Sequence, residues 1–103
     1  MIVVRRDIVE EYLRRASGSK GIAAARKSWQ VWLAIASASR WRAPMDVKHS
    51  HPRVSVLKRG RVVFNIKGND YRLVAQVNYQ AGTLEVRFFG THAEYDGIDA
   101  EII

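Results

Sequence analysis

The sequence predicts an α+β domain, with helical patterns in its first half and strand patterns in its second. Residues 61–96 alternate apolar and polar side chains, as half-buried strands do, and two glycine-containing turns interrupt them. Residues 19–39 repeat apolar side chains at spacings of three and four, as a helix packed on one side does. A chain of 103 residues suits one modest core, so we expect a single domain over residues 1–103. The predicted arrangement is two N-terminal helices packed on a small antiparallel sheet, with a short C-terminal helix.

The N-terminus predicts a strand and a helix. Ile2–Val4 is short and β-branched, and we expect it to add a strand beside the sheet. Asp7 has the character of a helix N-cap, and Glu10 three residues later completes a capping-box pattern. The helix should end near Gly18, because glycine is the usual C-terminal stop.

The second helical pattern, 19–39, is the longest in the chain. The helical spacing of Trp29 and Trp32 favours packing in the core over service as base-stacking platforms. In the connector that follows, Pro44 suits the first turn of a short helix ending near Lys48.

The first predicted hairpin turns at Gly68–Asn69, residues that tolerate the positive φ of tight turns. With this loop, Phe64 lies opposite Leu73 and Asn65 lies opposite Arg72. Upstream, residues 54–57 are expected to be extended, with a turn at 58–60 leading into the hairpin.

The second predicted hairpin turns at residues 80–83, which places Val77 opposite Val86. The two turns agree on one apolar face and one polar face. We expect the apolar face to carry Val62, Phe64, Ile66, Tyr71, Leu73, Ala75, Val77, Leu84, Val86 and Phe88. The polar face is expected to be open, with Arg72 and Arg87 on neighbouring strands and with Val63, Val74 and Phe89 among its members.

The last strand should end at Gly90–Thr91, and Thr91 is a candidate cap for a short terminal helix. His92 and Tyr95 follow directly and share a face if this segment is helical. An imidazole titrates near neutral pH, so either residue is a candidate acid or base at the edge of the polar face.

The charge of the chain is positive and uneven. The formal net charge is +7: residues 1–61 hold 14 Lys/Arg against 4 Asp/Glu, a net of +10, and residues 62–103 hold 3 against 6, a net of −3. A basic body indicates a polyanionic partner, most often nucleic acid. Basic residues surround Trp41 in the connector, a combination that suits RNA.

Several classes of protein do not fit this composition. The chain has no cysteine, which excludes a disulfide framework and a cysteine-based metal site. His49 and His51 lie two residues apart without a dense set of carboxylates, so we expect no metal and no other cofactor. No apolar run approaches the roughly 18 residues of a membrane helix. Arg5 and Arg6 interrupt the apolar start and argue against a secretory leader, so a cytoplasmic protein is expected.

Three segments in order, WRAPMDVKHSHP, VFNIKGNDYRLVAQVNY and GTHAEYDGIDAEI, carry a family resemblance. They resemble the HigB toxins, the RelE-like mRNA interferases of bacterial type II toxin–antitoxin pairs. The resemblance implies a RelE-like fold and a ribosome-dependent mRNA endonuclease that inhibits translation. It also implies a HigA-type helix-turn-helix antitoxin as partner, through which the complex binds operator DNA.

Metal-independent RNA cleavage needs a base for the attacking 2′-OH, cations for the pentavalent phosphorane and an acid for the leaving 5′-oxygen. The guanidinium fork matches phosphate oxygens, so Arg72 and Arg87 are candidates for the cationic role. The alternative is that they are surface arginines paired with Glu85 or Asp70.

The resemblance adds Tyr95 to the two arginines as a catalytic residue, and it leaves His92 either catalytic or a cap of the terminal turn. Residues expected to contact RNA are Asn65, Lys67, Lys48, Arg42 and Arg53, with Lys67 also readable as a plain turn lysine. Two rival interpretations remain: a non-catalytic RNA- or ribosome-binding module that uses the same basic face, and a structural partner of an acidic protein.

Overall fold

The structure, a computed structural model, describes residues 1–103. It confirms the α+β class, with four helices and five strands. The elements are β1 (Ile2–Val4), α1 (Asp7–Arg15), α2 (Ile22–Ala38), α3 (Pro44–Ser50), β2 (Ser55–Val56), β3 (Arg61–Ile66), β4 (Tyr71–Asn78), β5 (Thr83–Thr91) and α4 (His92–Tyr95). A 3₁₀ turn at Lys58–Gly60 joins β2 to β3.

The five strands form one sheet in the order β1-β5-β4-β3-β2. The neighbours from β2 to β5 are antiparallel, but β1 runs parallel to β5. The prediction of an antiparallel sheet is therefore wrong at this edge. No hairpin joins β1 to β5, so no tight turn forces the two strands to run in opposite directions.

The first hairpin has the predicted register. Phe64 lies opposite Leu73, and Asn65 lies opposite Arg72. The turn begins with two residues in the left-handed region, Lys67 at φ 54° and Gly68 at φ 60°. Glycine adopts this conformation freely and lysine rarely does, so the structure holds Lys67 in an unusual backbone geometry.

The second hairpin turns one residue earlier than predicted. Its loop is residues 79–82, and Val77 lies opposite Leu84, not Val86. The turn starts early because the Asn78 side chain accepts the backbone N–H of Ala81 at 2.9 Å. An asparagine that bonds its own backbone two or three residues on initiates a turn by itself.

A β-bulge then changes the faces of the last strand. Val74 lies opposite Phe88 while the next residue of β4 lies opposite Val86, so Arg87 is the extra residue of β5. The bulge exchanges two predicted positions: Phe89 packs in the main core, and Phe88 lies on the other face. Side-chain alternation across a bulge fails by one residue, which the sequence pattern does not reveal.

We call the sheet face covered by α1 and α2 the helix face. Its residues form one core with the buried side chains of both helices. Trp29 and Trp32 are buried there and stack at 5.4 Å, as the helical spacing predicts. Trp41 is buried in the same core and donates from Nε1 to Ser50 at 3.0 Å, so its predicted place in an RNA-binding surface is wrong.

The predicted capping box at the start of α1 is wrong. The N-cap is Arg6, and no side chain caps the helix. Asp7 is already helical, and its carboxylate lies 3.0 Å from Arg5 Nε. This local ion pair occupies the carboxylate that would otherwise accept a backbone N–H.

We call the opposite sheet face the tail face, because residues 96–103, the tail, pack across it. Val63, Val74 and Ala100 are buried there. Partly buried apolar side chains that pack on these three are Leu57, Phe88, Tyr95, Ile98 and Ile103. The prediction of an open polar face is therefore wrong over the middle of the sheet, because the face carries enough apolar surface to bind the tail.

Candidate functional site

Arg72 lies on β4 at one end of the tail face and is only 9% exposed. Its Nη1 donates to the carbonyls of Asn69 (3.0 Å) and Tyr71 (3.3 Å), and its Nη2 donates to Asn69 Oδ1 at 2.8 Å. These partners hold the planar guanidinium in one orientation. The burial also overturns the expectation that Arg72 lies on an open face.

All hydrogen-bond partners of Arg72 are uncharged, and no carboxylate lies within ion-pair distance of it. The alternative in which Arg72 pairs with Asp70 is therefore wrong, since Asp70 pairs with Lys67 at 3.1 Å. A largely buried cation without a counter-charge is unfavourable on its own and attracts an anion.

His92 opens α4 and contacts Arg72 directly. The separation of Arg72 Nη2 and His92 Nδ1 is 2.9 Å. Because a guanidinium only donates, Nδ1 accepts, and a neutral ring then carries its proton on Nε2. That atom lies 3.4 Å from Asp96 Oδ2. The imidazole thus bridges a cation and a carboxylate.

Tyr95 lies at the other end of α4, with its ring centroid 5.9 Å from Arg72 Cζ, within reach of a cation–π contact. The ring also packs against the buried residues of the tail face. The structure therefore brings together three of the four predicted catalytic residues, Arg72, His92 and Tyr95, which we call the Arg72 cluster.

Arg87, the fourth, lies elsewhere. Gly90 is opposite Arg72, and Arg87 precedes it on β5 by about 10 Å along the strand. Arg87 Nη1 lies 3.0 Å from Glu85 Oε1, and its Nε donates to the Ile103 oxygen at 3.1 Å. Arg87 thus fits the alternative prediction, in which it is a surface arginine paired with Glu85.

The short helix α4 is held by the predicted cap at Thr91 and by further contacts that were not predicted. Thr91 and Glu94 form a capping box, with Thr91 N–H donating to Glu94 Oε1 at 2.8 Å. The same Oε1 accepts the Tyr12 hydroxyl of α1 at 2.6 Å. Thr91-x-x-Glu94 is a readable capping pattern. Nothing in the sequence links it to Tyr12, 82 residues away.

The pKa values of the two partners shift in opposite directions. The hydrogen bond from Tyr12, aided by the Thr91 backbone, lowers the pKa of Glu94 below its ordinary value. Burial, aided by the neighbouring carboxylate, raises the pKa of the Tyr12 phenol. Both shifts favour a neutral phenol donating to an ionised carboxylate near neutral pH.

Three of the five predicted RNA contacts line clefts beside the Arg72 cluster. Lys67 lines a cleft of about 490 Å³ together with Lys20 and His92. Asn65 lies opposite Arg72 on the neighbouring strand and lines a second cleft, of about 360 Å³, with Arg53. Lys20, Lys67 and Arg53 thus place positive charge around one end of the sheet.

The other two predicted RNA contacts, Arg42 and Lys48, are exposed near α3 and line neither cleft. His51 packs edge-on against Phe64 at 5.1 Å, and burial lowers the pKa of its imidazole. No group of three or more His, Cys, Asp or Glu side chains gathers in an arrangement that could hold a metal ion. None of the helices has the length and apolar character needed to cross a bilayer.

Comparison with known families gives one match. The model of a family described as HigB toxin, the RelE-like toxic component of a toxin–antitoxin system, matches residues 25–98. The matched range begins in α2 and ends within the tail, so it includes the Arg72 cluster. No curated protein matches the chain.

Proposed function

Because this chain belongs to the HigB toxin family, the RelE-like toxic components of toxin–antitoxin systems, we propose that the protein is an mRNA endonuclease that acts on the ribosome. RelE-like toxins are in general endoribonucleases. The observation that carries the proposal is the Arg72 cluster. The buried guanidinium of Arg72 has only neutral partners, contacts the imidazole of His92 and lies over the ring of Tyr95.

The proposed reaction is attack of a 2′-OH on the adjacent phosphate. The bond from phosphorus to the 5′-oxygen breaks, which leaves a 2′,3′-cyclic phosphate and a 5′-OH. Arg72 stabilises the charge of the phosphorane, because its donors are fixed before substrate arrives and no carboxylate neutralises them. The reaction needs no metal, since arginine supplies the cation.

His92 and Tyr95 share the two proton transfers, one from the 2′-OH and one to the 5′-oxygen. The Nδ1 lone pair of His92 accepts from Arg72 in the free protein. When substrate binds, a phosphate oxygen replaces Nδ1 as the acceptor of the Arg72 Nη2 hydrogen bond. The free Nδ1 lone pair can then accept a proton. Asp96, 3.4 Å from Nε2, then stabilises the charged ring.

Arg87 enters the proposal in a weaker role than Arg72. Its ion pair with Glu85 and its distance along β5 separate it from the proton-transfer groups. We retain it as a predicted phosphate contact outside the reacting centre. Asn65, Lys67 and Arg53 are proposed to hold the RNA on either side of the cluster, where their two clefts lie.

The partner of a toxin in this family is an antitoxin. We propose that it is of the HigA type, with a helix-turn-helix domain through which the complex binds operator DNA. Free toxin would act in the cytoplasm, on mRNA held by the ribosome. Growth arrest on expression, reversed by co-expression of the antitoxin gene, tests the pairing.

The experiment that tests the reaction is single-turnover cleavage of mRNA on programmed ribosomes, with and without a chelator. We expect cleavage in both conditions and products with cyclic phosphate ends. Ribosome binding without cleavage would replace the proposal with the non-catalytic binding module. Loss of cleavage with chelator, on ribosomes that sedimentation shows to be still assembled, would exclude the metal-independent route.

A further inference from the structure

Helix α2 carries exposed aliphatic side chains on its outer face, in addition to the apolar side chains that pack against the sheet. Its 17 residues include two charged side chains, Arg26 and Lys27, and no acid. Val31 is 55% exposed and Ile35, one turn later, is 43% exposed. Five of the nine residues of α1 are charged, as is usual for a surface helix. Arg26, Lys27 and Gln30 are exposed as well, so the aliphatic surface is confined to the side of α2 that carries Val31 and Ile35. Exposed aliphatic side chains that lie together indicate a contact surface.

A cleft of about 520 Å³ runs between α2 and the end of β3, and we call it the α2 cleft. Val31, Ile35 and Ile66 line it, together with the buried Trp32. Lys27 and Lys67 also line it, and no acidic side chain does. Lys67 pairs with Asp70, whereas Lys27 forms no ion pair. The cleft thus combines an aliphatic wall with an unneutralised positive charge.

Two residues of this cleft have buried polar atoms without a hydrogen-bond partner, Trp32 at Nε1 and His51 at Nδ1. Trp32 is 3% exposed. Buried donors and acceptors are nearly always paired in folded proteins, and an unpaired one is unfavourable. Both residues line the same cleft, so its wall is built on side chains whose polar atoms the fold leaves unpaired.

We propose that the α2 cleft is the docking site of an acidic amphipathic segment of the antitoxin. The exposed apolar side chains of the cleft are aliphatic, and both tryptophan rings of α2 are buried, so a nucleobase finds no exposed tryptophan to stack on. Aliphatic side chains of a helix fit such a groove, and carboxylates on its polar side complement Lys27. A toxin of this family has an antitoxin as its partner. The aliphatic and positively charged cleft fits an antitoxin segment that is both amphipathic and acidic.

This position also suggests how binding would silence the toxin. Asn65 and Lys67 line the α2 cleft, and Lys67 also lines the cleft of about 490 Å³ that contains His92. A segment seated along α2 would occupy both side chains and cover one approach to the Arg72 cluster. This consequence alone rests on the proposed function, whereas the docking itself does not.

The test is the affinity between purified toxin and the antitoxin encoded beside its gene. Val31→Ala and Ile35→Ala remove exposed aliphatic bulk and keep helix propensity. Each should weaken binding roughly tenfold, because burial of an aliphatic side chain contributes about that much. The matched control is Ile2→Ala, which removes a 65% exposed isoleucine from β1 at the far edge of the sheet and should change the affinity less than twofold.

A second pair of variants tests the charge. Lys27→Gln should weaken the antitoxin complex and reduce its salt dependence, and Lys58→Gln, an exposed lysine at the opposite end of β3, should not. Unchanged melting temperatures would show that each variant is folded.

Wild-type affinity in both aliphatic variants overturns the proposal. If they weaken binding of a single-stranded RNA oligonucleotide and leave the antitoxin affinity intact, the surface belongs to RNA. If they convert a dimer of the free toxin to a monomer in sedimentation, it belongs to a second copy of the chain. None of these measurements needs cleavage, so failure of the docking proposal is distinguishable from failure of the nuclease proposal.

Discussion

Two arginines on the tail side of the same sheet have opposite surroundings. Arg72 is largely buried and donates only to neutral groups, one of them an imidazole. Arg87 is partly exposed, is paired with Glu85 and donates to the oxygen of Ile103 in the tail. The charge of Arg72 stays available to an anion, whereas that of Arg87 is already neutralised within the fold. Strand position alone therefore does not identify a catalytic cation, because the neighbouring acids and the tail determine whether its charge is neutralised.

A third arginine supports this comparison. Arg61 is buried on β3, donates from Nε to Gln76 at 2.8 Å and donates to the Ala100 carbonyl at 3.1 Å. Arg61 and Arg87 both donate to the Ile103 oxygen, so together they hold the tail. The tail face therefore has two ends. At one end Arg61 and Arg87 hold the tail, and at the other end lies the Arg72 cluster.

The largest effects are expected at the proton-transfer groups beside Arg72. His92→Gln removes titration and keeps polarity, and Tyr95→Phe removes only a hydroxyl. Loss of a general acid or base lowers cleavage by about 10²- to 10⁴-fold, and single-turnover cleavage on ribosomes measures it. If Tyr95 serves only to pack against the tail-face core, Tyr95→Phe will cleave normally. If His92 only holds α4, His92→Gln will lower the melting temperature without a matching loss of cleavage.

Arg72→Ala and Arg87→Ala test the comparison directly. Loss of Arg72 should reduce cleavage by about 10²-fold or more, as removal of a preorganised cationic group does. It should also lower the melting temperature, because a buried side chain with fixed partners is removed. Arg87→Ala should reduce cleavage by less than about tenfold, because it removes a phosphate interaction outside the reacting centre. Equal losses in the two variants would show that the two ends of the face act together.

The exposed cations away from the cluster should affect binding and leave the chemistry intact. Neutral replacements of Arg42, Lys48 and Arg53 are expected to flatten the salt dependence of RNA or ribosome affinity, by about one unit of slope for each cation that binds a phosphate. Arg53 lines a cleft with Asn65, and the other two line neither cleft near the cluster. We therefore expect the largest change for Arg53. An unaltered slope in a variant would place that residue away from the nucleic acid.

A smaller effect is expected from the hydroxyl that ties α1 to α4. Tyr12→Phe removes the 2.6 Å hydrogen bond to Glu94 and leaves the aromatic packing on Phe89, at 5.2 Å, in place. The capping box still forms, so cleavage should fall only a few-fold, through kcat more than KM. The His92 ring resonances should shift in NMR spectra of the free protein. Tyr79→Phe is the matched control, because the buried Tyr79 hydroxyl has no partner. Identical His92 spectra in the two variants would contradict a positioning role for Tyr12.

The smallest effect concerns acid stability near the Arg72 cluster. The pKa of Glu94 is lowered in the folded protein, mainly by the Tyr12 hydrogen bond, so the unfolded chain binds this proton more tightly. Its contribution to stability is therefore present above the ordinary carboxyl pKa of about 4.3 and is lost as the pH falls through the lowered folded value. Melting curves from neutral pH into acid should show a shallower decline for Glu94→Gln than for the unchanged chain. Parallel declines would mean that the hydrogen bond contributes nothing measurable at this exposed carboxylate.

The sequence alone determined the features that depend on near neighbours. The register of the first hairpin was predicted from a turn at Gly68–Asn69, although the positive φ angles fall on Lys67 and Gly68. The burial of Trp29 and Trp32 follows from helical spacing. Both are local, since a turn or one helix face is set by residues a few positions apart. The three motifs also indicated the family to which the chain belongs.

The tertiary structure alone decided the rest. The bulge at Arg87 exchanged the faces of Phe88 and Phe89, and the tail covered a face that its polar residues predicted to be open. Whether an arginine is neutralised depends on which carboxylate packs beside it, and such contacts join residues far apart in the chain. Arg72 contacts His92, 20 residues later, and Arg87 contacts Ile103, 16 residues later. A pattern over a few neighbouring residues does not predict contacts at such separations.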